Sequence, residues 1–387
     1  MNRLFEKYKW LDNVRNLTFI FVGLVVIATI HRLWLGNQSF NNFSIFRFSF
    51  FNLIHGNDLY ILHPDQYNDL YKYSPTFAFL MAPFYAMPRW MGLFVFNLLN
   101  ALVPFWAINR LNISSKAKSF ILIFIAIELL SSIQNAQSNG IMAGLMIAAF
   151  ASFERKEVVW AALFICLGFY LKIFGAAVGI LFLFYDKKLK FILSAIVIGI
   201  ILGALPILVT GVDGLIFQYK SWLHLLANDP AHELNFSIMT LTQRWFHFTC
   251  PDSWYLIPGI ILLLLPLVRL REWKNFSFRL LYLATILVWV VIFNHKAESP
   301  TFVIAVCGVG IWSLTEENKM LRIFMLWFVF VFTILSPTDL FPPYVRHEIW
   351  QPYCLKVLPC IIVWGMMTWK ILLGRNISLL PEEKANA

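Results

Sequence analysis

Three carboxylates, Asp58, Asp65 and Asp69, fall in one polar stretch that ends at Tyr73-Ser74-Pro75, after which the chain is apolar through Met87. A carboxylate held at such a boundary can take a proton from an attacking hydroxyl, the work of a general base. Asp69 stands nearest the turn and is placed first. Asp58 sits in Gly-Asn-Asp-Leu-Tyr, a setting where aspartate often only bonds local backbone. Asp65 lies between them, and for all three the plain alternative is a solvated turn carboxylate. Isolated cations could serve the other end of a transfer by stabilising a leaving phosphate. Lys172 lies in the middle of the apolar run 158–185, where the alternative is an ammonium snorkelling to the interface. Arg244 carries a planar fork that matches phosphate oxygens. Lys296, beside His295, adds a third positive group. The amides Gln134, Asn135, Gln137 and Asn139 interrupt two apolar segments and suit sugar hydroxyls or a phosphate, unless they only cap a helix and turn the chain. Asn42, Tyr71, Tyr73, Asn235 and His295 complete the candidates for binding the group transferred and its acceptor. Glu128 lies inside an apolar run. An ionisable group there either has a function or pairs with a bundle cation such as Lys172.

The elements that would position these groups are membrane helices. Of the 387 residues, 59% are hydrophobic and 13% charged. Soluble domains are about 45–50% apolar and about 25% charged, so a soluble enzyme is excluded. The expected fold is all-α: a polytopic integral membrane bundle of about 10–12 transmembrane or re-entrant helices, forming a single domain over residues 1–387. Apolar segments run near 17–35, 76–88, 91–109, 119–133, 139–153, 158–185, 191–210, 254–270, 278–293, 301–315, 321–336 and 355–373. The 76–88 segment is too short to span and is interrupted by Pro83, so it reads as a short or re-entrant helix. In 158–185 the glycines flanking Lys172, Gly168 and Gly175, predict a broken pair of half-helices. Residues 40–54 read as an amphipathic helix, either lying in the interface or packing on the bundle.

Basic residues gather in the short connections and at both ends. That assigns the N-terminal segment 1–16 and the tail 374–387 to the cytoplasm of a cell (inner) membrane protein. The long loops 36–75 and 211–253 then face outward, with the candidate active site on the extracytoplasmic side. The net charge of +10 follows these anchors and forms no nucleic-acid stripe. No metal-binding motif and no nucleotide-binding glycine fingerprint is present, so neither a metal nor another cofactor is expected.

The order Gly56-x-x-Leu59-Tyr60, Tyr71-x-Tyr73-Ser74-Pro75, then Pro83 and Pro88, resembles family 87 of the C-type glycosyltransferases. Asn135-Ala-Gln-Ser-Asn139, Leu171-Lys172, and Asn235, Ser237 and Arg244 follow in the family's order. The resemblance implies a polyprenyl-phosphate sugar donor, mannose first, and inverting transfer to a lipid- or glycan-linked acceptor. The donor's tail would run among membrane lipids beside 76–88. It also places the family's acid fourteen residues before Gly56, at Asn42. An asparagine cannot take a proton there, which leaves the base to Asp69, Asp58 or Asp65. Two rival readings are a transporter or flippase of lipid-linked saccharide, and a polysaccharide ligase or polymerase.

Overall fold

The computed structural model describes residues 14–228, 235–374 and 377–381. Most of the expected cytoplasmic N-terminal segment 1–16 and most of the tail 374–387 lie outside them. Every element in the chain order is helical. Among the described residues three helices are long and apolar enough to cross a membrane: Val14–Leu35, Arg89–Asn109 and Ser115–Gln134. A bent pair, Lys188–Ala204 with Ile207–Asn228, makes a fourth, and shorter apolar helices accompany them. The expected all-α polytopic membrane architecture is what the chain forms.

The chain divides into two compact units. The first comprises Thr18–Ala107 and Leu130–Pro230. The second comprises Ile108–Leu129 and Ala231–Ala387, with the N-terminal residues through Leu17.

In the first unit, helix Asn41–Ile54 buries Phe43, Ile45, Phe46 and Leu53, and also the polar Ser44, Ser49 and Asn52. It packs on helices Pro75–Leu80 and Ala82–Ala86. The short helices replace a span for local reasons. Ser74 caps the first, its hydroxyl accepting from the Phe77 N–H at 3.1 Å, and Pro75 fills the first helical position. Pro83 opens the second, and the chain leaves it extended at Met87, before Pro88. The same Ser74 hydroxyl donates to the Tyr170 carbonyl at 2.6 Å, tying the turn to helix Val158–Leu171.

That helix breaks where the sequence predicts. Lys172 is extended (φ −148°, ψ 126°), and a 3₁₀ helix, Ile173–Phe184, follows. The close approach of the two halves needs glycine. A Cβ on Gly175 would lie 2.7 Å from the Gly168 carbonyl carbon and 2.8 Å from the Met142 sulfur.

Helix Lys188–Ala204 exposes Leu193, Ile196, Val197, Ile200 and Ile201 on its outer side. A continuous apolar face of this kind suits lipid. The pair bends by 94° into Ile207–Asn228, so the first half of the expected loop 211–253 is helical. The bend falls at Leu205-Pro206, and Gly211 (φ 68°) adds a kink. Leu215, Gln218 and Trp222, on one face, are buried.

In the second unit, helices Phe276–Ile292 and Phe302–Trp312 form the core, with nearly every side chain buried. Helix Leu358–Leu373 packs against both, and against Lys319–Val329.

Candidate active site

The first unit brings most of its sequence-predicted residues into one ring. Asn42, at the start of helix Asn41–Ile54, donates its amide to the Asn135 carbonyl at 2.9 Å. Phe46, one turn on, packs edge-on against Tyr73 with centroids 4.8 Å apart. The Lys172 ammonium lies 5.8 Å from the Tyr73 ring centroid and donates to Asn139 Oδ1 at 2.6 Å. Asn139 in turn donates to Gln137 Oε1 at 2.6 Å. Gln137 is two residues from Asn135, which closes the circuit. Asn139 is fully buried, while Lys172, Asn42, Asn135 and Tyr73 are half-buried. A cation is therefore held by a buried amide beside an aromatic ring, an arrangement with positive charge and hydrogen-bonding groups to offer an anionic, polar ligand. Gln134, half-buried, ends helix Ser115–Gln134.

The lysine is also placed by the fold itself. It follows the last residue of Val158–Leu171, where unpaired carbonyls carry partial negative charge that favours a cation. The break turns it out of both half-helices, so its four-carbon stem reaches Asn139 on the neighbouring helix Asn139–Glu154.

The three acids are not equivalent. Asn41 clasps Asn68 from both sides: its amide donates to the Asn68 carbonyl, and its Oδ1 accepts the Asn68 N–H at 2.9 Å. Asp69 therefore stands at the N-terminal end of helix Asn41–Ile54, the end that carries Asn42. It is exposed, has φ 87°, and accepts its neighbour Leu70's N–H at 2.7 Å. A non-glycine residue at that φ is strained, and such strain collects at functional sites.

Asp58 belongs to the other end. Asn57 donates to Asn52 Oδ1 at 3.0 Å, and ten residues of helix from Asn42 to Asn52 span about 15 Å. Both Asp58 oxygens accept from the Ser221 hydroxyl, at 2.8 and 2.9 Å, and one accepts the Tyr60 N–H at 3.0 Å. Asp58 thus fastens the loop to helix Ile207–Asn228. Asp65 is exposed on the turn between His63 and Tyr67.

Tyr71 is fully buried, and its hydroxyl donates to the Ser74 carbonyl at 2.8 Å. Tyr60 donates to the Tyr73 carbonyl at 2.9 Å. Burial pushes both phenols well above their ordinary pKa, so both remain donors and stiffen the turn.

The second unit holds the remaining candidates. The Arg244 guanidinium donates to the carbonyls of Gln351 and Pro352, and the Trp245 indole N–H donates to the Tyr353 carbonyl at 2.7 Å. Asn235 is buried, donating to the His295 carbonyl and accepting from the Thr240 hydroxyl. His295 Nδ1 lies 3.3 Å from Asp252 Oδ2. Lys296 is half-buried on the same loop, its N–H bonded to Asn294 Oδ1 at 2.9 Å. Glu128 has a cation partner, and it is Lys356. The ammonium donates to the two carboxylate oxygens at 2.9 and 3.1 Å and to the Thr333 carbonyl at 2.9 Å. Lys356 and Arg346 line a small cavity of about 90 Å³, and neither is singled out by the sequence reading. The signal for Lys356 is a lone cation at the head of the apolar run 355–373.

No curated protein matches the chain. The sequence model of Glycosyltransferase family 87 matches residues 71–337, which includes the amides 134–139, Lys172, Asn235 and Arg244. Asn42 and the three acids precede the matched residues. With more than half of its length matched, the chain belongs to glycosyltransferase family 87 and is a membrane glycosyltransferase.

Proposed function

We propose that the protein moves a sugar, mannose as the first candidate, from a polyprenyl-phosphate donor to a hydroxyl of a lipid- or glycan-linked acceptor. The observation that carries this reading is the circuit of Asn42, Asn135, Gln137, Asn139, Lys172, Tyr73 and Phe46, which holds the half-buried Lys172 ammonium between an amide and an aromatic ring. Lys172 takes the donor phosphate, and Asn135, Gln137 and Asn139 with Tyr73 hold the sugar. Asp69 removes the proton from the acceptor hydroxyl. The freed oxygen attacks the anomeric carbon from the face opposite the phosphate, the carbon–oxygen bond to phosphate breaks, and polyprenyl phosphate leaves with both bonding electrons. The configuration inverts. The developing negative charge is met by a preplaced cation, the largest single source of acceleration in reactions of this kind. The donor's tail lies along Phe50, Phe79 and Tyr85, a half-exposed aromatic face on the short helices. Arg244 acts as a positioning residue that fixes the segment after Trp350. Termini in the cytoplasm and a site on the outer face complete the reading, and no metal takes part.

The test is transfer from radiolabelled polyprenyl-phosphate mannose in membranes, with and without chelator. Asp69→Asn and Lys172→Met each lower the rate about 10²–10³-fold. Lys172→Met does so with a raised KM for donor and an unchanged KM for acceptor. Asp58→Asn lowers stability more than rate. Wild-type rates in both Asp69→Asn and Lys172→Met would overturn the assignment.

A further inference from the structure

Helix Asn139–Glu154 begins without a cap of its own. Ser138 holds the cap position, but its backbone (φ −80°, ψ 11°) is not extended and its side chain makes no capping bond. A capping hydroxyl reaches the N–H groups of the first turn from an extended backbone. The Ser138 hydroxyl is buried, with no hydrogen-bond partner among the described residues. The first N–H groups of a helix have no partner inside it, and here one of them is met from elsewhere. Asn100, on helix Arg89–Asn109, accepts the Ile141 N–H on its Oδ1 at 3.2 Å. Its amide nitrogen donates to the Phe96 carbonyl, one turn back, at 3.3 Å. A carbonyl takes only a donor and an N–H only an acceptor, so the two partners together fix which way the amide points.

Backbone packing fixes the register of this contact. A Cβ on Gly144 would lie 2.6 Å from the Pro104 nitrogen and 2.7 Å from the Val103 carbonyl carbon, so the two helices touch at backbone one turn beyond Asn100 and Ile141. Asn100 itself is fully buried. On its other side the same turn meets the broken helix, where the Met142 sulfur lies against Gly175. Asn139, two residues before Ile141, is therefore carried on a turn held from two sides. Its Oδ1 accepts from the Lys172 ammonium and its amide donates to Gln137 Oε1, both at 2.6 Å. Where Asn139 stands decides where the ammonium stands, and the amide that holds its turn belongs to a third helix. All of these residues lie in the first unit.

We infer that Asn100 is a positioning residue for sugar transfer. It caps helix Asn139–Glu154 from the neighbouring helix and, through Asn139, sets the place of the Lys172 ammonium. The inference rests on the donor-phosphate role proposed for Lys172.

The test is a double-mutant cycle in membranes, read as kcat/KM for radiolabelled polyprenyl-phosphate mannose per folded protein. Asn100→Ser lets a short hydroxyl bond back to the Phe96 carbonyl and leaves the Ile141 N–H bare. Donor kcat/KM falls about three- to tenfold, the loss of one hydrogen bond, while KM for the acceptor is unchanged. In Lys172→Met protein the same substitution has no further effect, because the group it positions is gone. Asn100→Leu, which fills the same space with no acceptor, repeats the comparison where the serine variant fails to fold. Wild-type donor kcat/KM in both Asn100 variants overturns the inference. So does an equal fold loss with and without Lys172, which marks an amide that only holds the fold. A wild-type rate in Lys172→Met alone is the separate sign that the lysine's role, and with it this inference, fails.

Discussion

Glu128 and Lys356 offer the sharpest test of how the second unit is held together. Their side chains are 0% and 3% exposed, and the ammonium spends two hydrogen bonds on the carboxylate and one on the Thr333 carbonyl. Changing Glu128 to Leu leaves a buried ammonium with one neutral acceptor. Changing Lys356 to Met leaves a buried carboxylate. Breaking one side of a buried pair costs about 3–5 kcal/mol, a large part of the roughly 5–15 kcal/mol that holds a typical domain folded. The double variant Glu128→Leu/Lys356→Met removes both charges. It takes one of two side-chain donors from the Thr333 carbonyl, which keeps the Ser336 hydroxyl at 3.4 Å, a loss of about 1 kcal/mol. The expected order is therefore wild type close to the double variant, with both singles far below and melting on the order of 10 °C lower. Thermal denaturation in detergent, followed by loss of the monodisperse peak, reads this directly. Singles as stable as wild type, or a double no better than the worse single, would refute the reasoning. Transfer activity separates the two readings of Glu128, because a folded but inactive double variant makes the pair part of the chemistry.

Three further outcomes follow from the first unit. Gly175→Ala forces a Cβ to 2.7 Å from Gly168 backbone, with an expected destabilisation of about 1–3 kcal/mol and a fall in transfer as Lys172 shifts. Trimming Met142 to Ala does not rescue it, because the backbone contact remains. Asn42→Asp replaces a donor to the Asn135 carbonyl with an acceptor. It should destabilise by about 1–3 kcal/mol and yield no gain in rate, checked by melting and transfer assay together. Alkaline pH loosens the 56–75 loop. Burial pushes Tyr67 up to about 12 and also raises Tyr60 and Tyr71 well above the ordinary phenol value. A phenol harder to ionise in the fold than in the unfolded chain contributes stability fully present below pH 10 and lost as pH rises toward and past about 12. The melting temperature of wild type should fall across that window, and Tyr67→Phe should fall less.

What could be read from residues alone depended on how local the cause was. The short 76–88 element and the break at Lys172 were legible because Pro75, Pro83, Gly168 and Gly175 act within a few residues. The ring's amides were legible because polar groups in an apolar run are conspicuous. The partner of Glu128 was not, since it lies 228 residues away and a lone lysine at the head of an apolar segment looks like an interfacial anchor. The helical start of 211–253 was hidden by Asp213 and Lys220, which suggest a loop. Only the packed face of Leu215, Gln218 and Trp222 shows that the segment has a buried side. The order of the three acids was drawn from nearness to the Tyr-Ser-Pro turn, but the Asn41–Asn68 clasp that brings Asp69 to the helix end carrying Asn42 is a contact no spacing rule predicts.

The separation of Glu128 from Lys356 also has a consequence for biosynthesis. When the ribosome delivers helix Ser115–Gln134 to the insertion machinery, the residue that will balance its acid has not been translated. A charged side chain at the middle of an inserting helix carries about 2.5–3.5 kcal/mol against it. Until residue 356 emerges, the acid must enter protonated or be sheltered by the insertase. A chain truncated before that point is left with an uncompensated acid in the bilayer, a signal by which quality-control proteases can select unfinished copies.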